Sequence, residues 1–171
     1  LSGGVLNNFG PHSFHYIEQF MGKITQIYVK TLSSNSCDET GAYIFLKFIS
    51  GASAALCLST NTYKGSGHSL EFTGSAGTIL LKNNSSATLT DFSLDVFKKS
   101  GTSYRKNTNT LSNKGQDSRI PLVGSLVERF GDWIETGNFY NPGLNEALRV
   151  EMLLRACRKS INEGKEVKVD F

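Results

Sequence analysis

The chain has 171 residues, 39% of them hydrophobic and 19% charged, with a formal net charge of +3. This excludes a disordered chain and suits one domain, or one with a small appendage. So mild a positive excess does not point to nucleic acid, which needs a concentrated basic face.

The first predicted element is a helix from Pro11 to Met21, with Gly10 as its N-cap and Pro11 in its first turn. Phe14, Ile17 and Met21 share one face, and Gly22 stops it. ITQIYVK (Ile24 to Lys30) alternates as a strand, with Thr25, Ile27 and Val29 on one face and Ile24, Gln26 and Tyr28 on the other. After the polar loop SSNSCDETG come strands over Ala42 to Ser50 and Ala52 to Thr60, turning at Ser50-Gly51. HSLEFTG and TILLK pair around Ser75-Ala76-Gly77, Asn83-Asn84-Ser85-Ser86 reads as a polar turn, and Asp91 to Lys99 alternates as a further strand. Ser100 to Arg119 reads as a long polar loop, with Lys98, Lys99, Arg105, Lys106, Lys114 and Arg119 forming a solvated basic cluster.

Two helices follow. The first, after Pro121, carries the stripe Leu122, Leu126, Phe130 and Ile134, and Gly137 ends it. The second is capped by Asn141 and opened by Pro142; its stripe is Leu144, Ala147, Leu148, Leu154, Cys157 and Ile161, and Gly164 ends it before a short strand, Glu166 to Val169. Helices segregated from successive short-turn strands read as α+β: an open, mostly antiparallel β-sheet with helices on one face. Apolar residues on both faces of one strand (Tyr43, Phe45 and Ile49 against Ile44, Leu46 and Phe48) call for a cover on the second face, expected from another subunit.

Cys37, Cys57 and Cys157 lack paired spacing and read as reduced thiols rather than a disulfide framework or a zinc site. With no signal peptide and no apolar run long enough to span a bilayer, the expected location is cytoplasmic. Among the histidines, His12 falls in the first turn of the predicted helix, where the partial positive charge of the helix end favours a neutral imidazole that can take or give a proton. A first-turn hydrogen bond to backbone is the plainer reading of the same residue. His15, three residues on, makes a His-x-x-His pair with no further ligand at a recognisable spacing, so no metal is expected. His68 says little alone. GSGHSLEFTGSAG is not a dinucleotide loop: Leu70 stands where its third glycine belongs, and the context is strand–turn–strand.

Three stretches in series resemble one family. GGVLNNFGPHSFHYIEQFMG, HSLEFTGSAGTILL and RFGDWIETGNFYNPGLNEALRVEMLLRACRKSINEGKEVKV are similar in order and spacing to the C-terminal domain of the glucose–fructose oxidoreductase/inositol dehydrogenase (GFO/IDH/MocA) family. The resemblance implies a dihydrodipicolinate-reductase-like C-terminal domain over residues 1–171, used for substrate binding and oligomerisation. It also implies a separate Rossmann domain, outside this chain, that binds NAD or NADP and carries a catalytic lysine; this stretch alone is expected to bind no nicotinamide tightly. The implied substrate is a sugar, nucleotide-sugar or cyclitol hydroxyl, and the implied partner is a second copy through the open sheet face, with neither nucleic acid nor membrane. His12 matches the family histidine that helps move the hydroxyl proton. Asn8 and His15 stand where the family usually has Asp. Gly3 and Gly4 would let the backbone approach the substrate, Asn7 and Asn8 would line the approach, and Tyr63 is a candidate contact from the sheet. The departures at Asn8 and His15 keep a second reading open, a non-catalytic binding or dimerisation module derived from the family.

Overall fold

The computed structural model describes residues 4–32, 39–63, 67–83, 92–108, 117, 119–138 and 141–170. Gly3, Cys37, Lys114 and the polar turn after Asn83 lie outside them. The chain forms two compact units, Leu1–Tyr63 with Asn141–Phe171, and Lys64–Tyr140.

The first unit holds α1 (Val5–Met21), β1 (Ile24–Thr31), β2 (Gly41–Phe48) and β3 (Ser53–Ser59). The chain's last helix and strand return to it. The second unit holds β4 (Ser69–Gly74), β5 (Gly77–Asn83), β6 (Phe92–Lys98), β7 (Ser103–Thr108) and α2 (Ile120–Thr136). The returning elements are α3 (Leu144–Glu163) and β8 (Val167–Lys168). Each unit contains one four-stranded sheet, ordered β3-β2-β1-β8 in the first and β4-β5-β6-β7 in the second, with antiparallel neighbours. The α+β class and the antiparallel sheet are as the sequence implies.

In the first unit α1 and α3 pack on one face of the sheet. Val5, Phe14 and Ile17 of α1 and Leu153 and Cys157 of α3 join Ile27, Val29, Ile44 and Leu46 in a single buried cluster. Period-two alternation explains Ile27 and Val29 but not Ile24, which is also fully buried. A bulge between Ile24 and Gln26 shifts the register there and turns Ile24 inward. On the opposite face Tyr43 and Phe45 are 45% and 50% exposed, and Tyr28 stacks on Phe45 with ring centroids 6.2 Å apart.

Several boundaries differ from the sequence expectation. α1 begins at Val5, not Pro11, so Pro11 lies inside the helix. Proline cannot donate to the Asn7 carbonyl one turn back, a defect that costs an isolated helix about 3 kcal/mol. Burial of Val5, Leu6, Phe14 and Ile17 offsets it. Gly10 is no cap either. It is buried against α3, where an added Cβ would come within 3.1 Å of a Leu154 methyl. The polar stretch after Lys98 contains a true strand: β7 pairs with β6 along its whole length. Its residues do not alternate in polarity, so period two gave no signal; Arg105, opposite Asp95, forms a bidentate ion pair with it. The β4–β5 turn is Ser75-Ala76 alone, and Gly77 is already paired with Gly74. Only glycine fits at 77, where φ is +151° and a Cβ would overlap the Phe97 carbonyl.

The cap of α3 is Gly143 rather than Asn141, and the Glu146 carboxylate accepts its N–H at 2.8 Å. The first part of the predicted α3 stripe is solvent-facing, with Leu144 85% and Leu148 62% exposed. The buried face is instead Arg149, Leu153, Ala156, Cys157 and Ser160, with Leu154 beside it. The stops at Gly22, Gly137 and Gly164 are where the sequence puts them, all at positive φ.

Candidate functional site

Asn8, His12, His15 and Gln19 follow one another at intervals of four, three and four residues, so they form one polar stripe along α1. Asn8, His12 and Gln19 are exposed and His15 is half-buried. The stripe is rigidly founded, because the opposite side of the same helix supplies Phe14 and Ile17 to the core. Since the helix starts at Val5, His12 stands in its third turn. The helix-end charge invoked for its imidazole is therefore absent, and what the fold supplies is a fixed platform with open access.

His15 opens onto a cavity of about 270 Å³ between α1 and α3 that Gln19, Lys23, Asn145 and Glu146 also line. The Glu146 carboxyl lies below its ordinary range, first through the Gly143 N–H, then through its own N–H, with smaller help from His15 and Lys23. Glu18 and Arg149, which also line the cavity, form a largely buried charge cluster. Arg149 donates through Nε and Nη2 to the Glu18 carboxylate, the shortest contact being 2.8 Å, and also donates from Nη2 to the Ile24 carbonyl and from Nη1 to the Asp170 carbonyl. Glu18 also accepts the Ile24 N–H at 2.8 Å and pairs with Lys23. Burial alone would raise the Glu18 carboxyl; the Arg149 hydrogen bonds, the Ile24 N–H and the charges of Arg149 and Lys23 together hold it below the ordinary range.

Asn7 points to α3, where Arg158 donates to its Oδ1. Gly4 is the N-cap of α1, and the space a side chain would take there is filled by the Glu39 carboxyl, within 2.4–2.5 Å of an added Cβ. Glu39 accepts the Val5 N–H on its carbonyl at 2.8 Å and the Leu6 N–H on its carboxylate at 2.9 Å. Tyr63 follows β3, on a different element from the stripe, and is 92% exposed. The structure thus brings Asn8, His12 and His15 together on one helix, with Asn7 in its first turn and Gly4 as its N-cap.

Glu39, Arg149 and Arg158 were not legible as partners of Leu6, Glu18 and Asn7 on α1. They meet across 33, 131 and 151 residues of chain, and no local motif encodes such pairs. Cys57 and Cys157 are free; burial pushes the Cys157 thiol up to about 12, which makes it inert at neutral pH. Among the described residues no three His, Cys, Asp or Glu converge on a metal position, and no helix is long and apolar enough to cross a membrane.

The match to known families falls on this unit and its continuation. Residues 1–80 match the family described as the GFO/IDH/MocA C-terminal domain. In fold, the chain is similar to an Agrobacterium radiobacter oxidoreductase solved in complex with NAD+, L-tartaric acid and magnesium. There the TM-score is 0.79 at 18% identity, over 98% of this chain and 50% of that one. It is similar also to levoglucosan dehydrogenase in complex with NADH and levoglucosan, with TM-score 0.76 at 14% identity, over 99% of this chain and 51% of that one. A third is an NAD binding oxidoreductase from Klebsiella pneumoniae, with TM-score 0.75 at 15% identity, over 99% and 51%. The chain spans about half the length of each. No curated protein matches it in sequence.

Proposed function

We propose that these residues form the substrate-binding and oligomerisation part of an NAD(P)-dependent oxidoreductase acting on a sugar, nucleotide-sugar or cyclitol hydroxyl. The observation that carries this reading is the polar stripe Asn8–His12–His15, with Asn8 and His12 exposed, held on a core helix within the stretch that matches the family. His12 Nδ1 or Nε2 takes the hydroxyl proton as the substrate carbon is oxidised and returns it in the reverse direction; that transfer needs a ring nitrogen within hydrogen-bond reach of the hydroxyl. Asn8, one turn before it, offers both a donor and an acceptor to neighbouring hydroxyls but holds no charge. His15 and the cavity beside it extend the polar surface along the helix.

The nicotinamide does not fit the described residues. Their glycine-rich turn, Gly74 to Gly77, joins two strands of a hairpin and has no helix start to cradle phosphate. In this reading the cofactor belongs to a Rossmann domain outside these residues, consistent with the chain spanning half of each structural neighbour. The aromatic outer face of the first sheet, with Tyr28, Tyr43 and Phe45, is the proposed contact with a second copy.

The test is His12→Ala in the protein that carries its nicotinamide domain. Turnover is expected to fall by roughly 10²–10⁴-fold, the usual worth of a general acid–base group. Near-normal turnover removes the role from His12. The second reading, a binding or dimerisation module without catalysis, is favoured by Asn8 and His15 standing where the family has acids. It is the outcome if the whole protein shows no turnover on polyols and sugars while its native mass is that of an oligomer.

A further inference from the structure

The helix that presents the stripe has no capping of its own. Its N-cap is Gly4, which has no side chain, and its first turn contains no acid. Such an end leaves N–H groups without partners and frays. Glu39, just before β2, fills that gap from 33 residues away. Its carbonyl takes the Val5 N–H at 2.8 Å, its carboxylate takes the Leu6 N–H at 2.9 Å, and its side chain is packed where a Gly4 Cβ would be. The residue is 4% exposed, so the bond to Leu6 is shielded from water and the negative charge sits against the positive end of the helix dipole. The turn so fixed runs directly into Asn7, Asn8 and, one turn on, His12.

We infer that Glu39 is a positioning residue for the stripe: by capping α1 from the strand side, it fixes where Asn8 and His12 stand. This rests on the function proposed above for its catalytic arm only. The pairing also explains Gly4. Any side chain there expels the carboxyl, so Gly4 and Glu39 work as one unit.

The test uses the whole chain and amide hydrogen exchange. Glu39→Ala is expected to lower protection at Leu6 and Asn8 by about tenfold, the usual worth of a helix cap. Protection at Ile27, Val29 and Leu153 stays unchanged, and Glu39→Gln, which keeps an acceptor, restores most of it. Gly4→Ala is expected to give the same local loss, and Gly4→Ala added to Glu39→Ala no further loss, since there is no carboxyl left to displace. Unchanged protection in Glu39→Ala, or fully additive effects in the double variant, overturns the inference; so does global unfolding by Glu39→Ala that Glu39→Gln does not rescue. In the protein with its nicotinamide domain, Glu39→Ala is expected to lower kcat about tenfold with KM for the nicotinamide unchanged, and Glu39→Gln to stay near wild type. Local exchange loss without any change in kcat overturns the positioning role. If His12→Ala is itself without effect, the functional reading fails, and the exchange result still decides the cap.

Discussion

The two sheets of this molecule are alike in strand number and pairing, yet they bury very different things. Every fully buried apolar side chain among the described residues belongs to the first unit, where α1 and α3 cover one sheet face. In the second unit the sheet places Leu70, Phe72, Ile79, Leu81, Leu94 and Val96 on one face by its register, and none of these is fully buried. Its helix α2 is amphipathic in sequence, but none of its residues is buried. A cooperative core needs both layers in contact, since stability comes from apolar area removed from water. The lesson concerns the proposed site: among the described residues, the stripe of Asn8, His12 and His15 sits on the one helix layer that is packed, where a side chain can be held to a fixed position.

The comparison is broken most directly at Leu153. It is fully buried between α3 and the first sheet, so Leu153→Ala removes transfer energy and leaves a cavity. The expected loss is about 2–5 kcal/mol in chemical denaturation of the whole chain. A loss under about 1 kcal/mol would mean that the first unit is no better packed than the second.

A smaller effect with a distinctive pH signature is expected at Glu18. Its carboxyl lies lower in the folded state than its ordinary value of 4.5. A depressed acid contributes stability that is fully present above its unfolded pKa and is lost as pH falls through the folded one. Wild-type stability should therefore hold above about pH 4.5 and decline below it. Glu18→Gln keeps an acceptor for Arg149 but no charge. It should cost about 1–3 kcal/mol at neutral pH and flatten the acid limb. Equal slopes in the two proteins would show that the cluster does not couple folding to protonation.

How much of this could be read beforehand depends on the range over which each feature is encoded. The glycine stops at 22, 137 and 164 are local, and each was legible because a left-handed or extended glycine ends a helix whatever surrounds it. Pro11 misled for the same reason. Locally it is a good first-turn residue, and only the packing of Val5 and Leu6 and the remote cap from Glu39 carry the helix past it. The polar β7 gave no alternation, because its strongest visible partner is a charge on β6 rather than an apolar layer. Leu144 and Leu148 look like core in the sequence, but Arg149 takes the buried position one step away, drawn in by Glu18 across 131 residues. The stripe itself was half legible: the family pattern singled out Asn8, His12 and His15, while their true helical context required the structure.

The smallest expected effect sharpens the comparison from the other side. Val127 flanks the apolar stripe of α2 and is 65% exposed. In the first unit a valine on a core-facing arc would be costly to replace, as Val29 is 1% exposed. At Val127 a polar residue meets mostly water, so Val127→Ser should shift the stability of the whole chain by no more than about 0.5 kcal/mol, apart from the slightly lower helix propensity of a short polar side chain. The measurement is the same denaturation midpoint used for Leu153→Ala, at a protein concentration low enough to keep copies apart. A loss above about 2 kcal/mol would place Val127 in a buried layer and erase the contrast between the units. A loss that appears only as the protein concentration is raised would instead tie the apolar arc of α2 to association, since a contact between copies stabilises the fold by mass action.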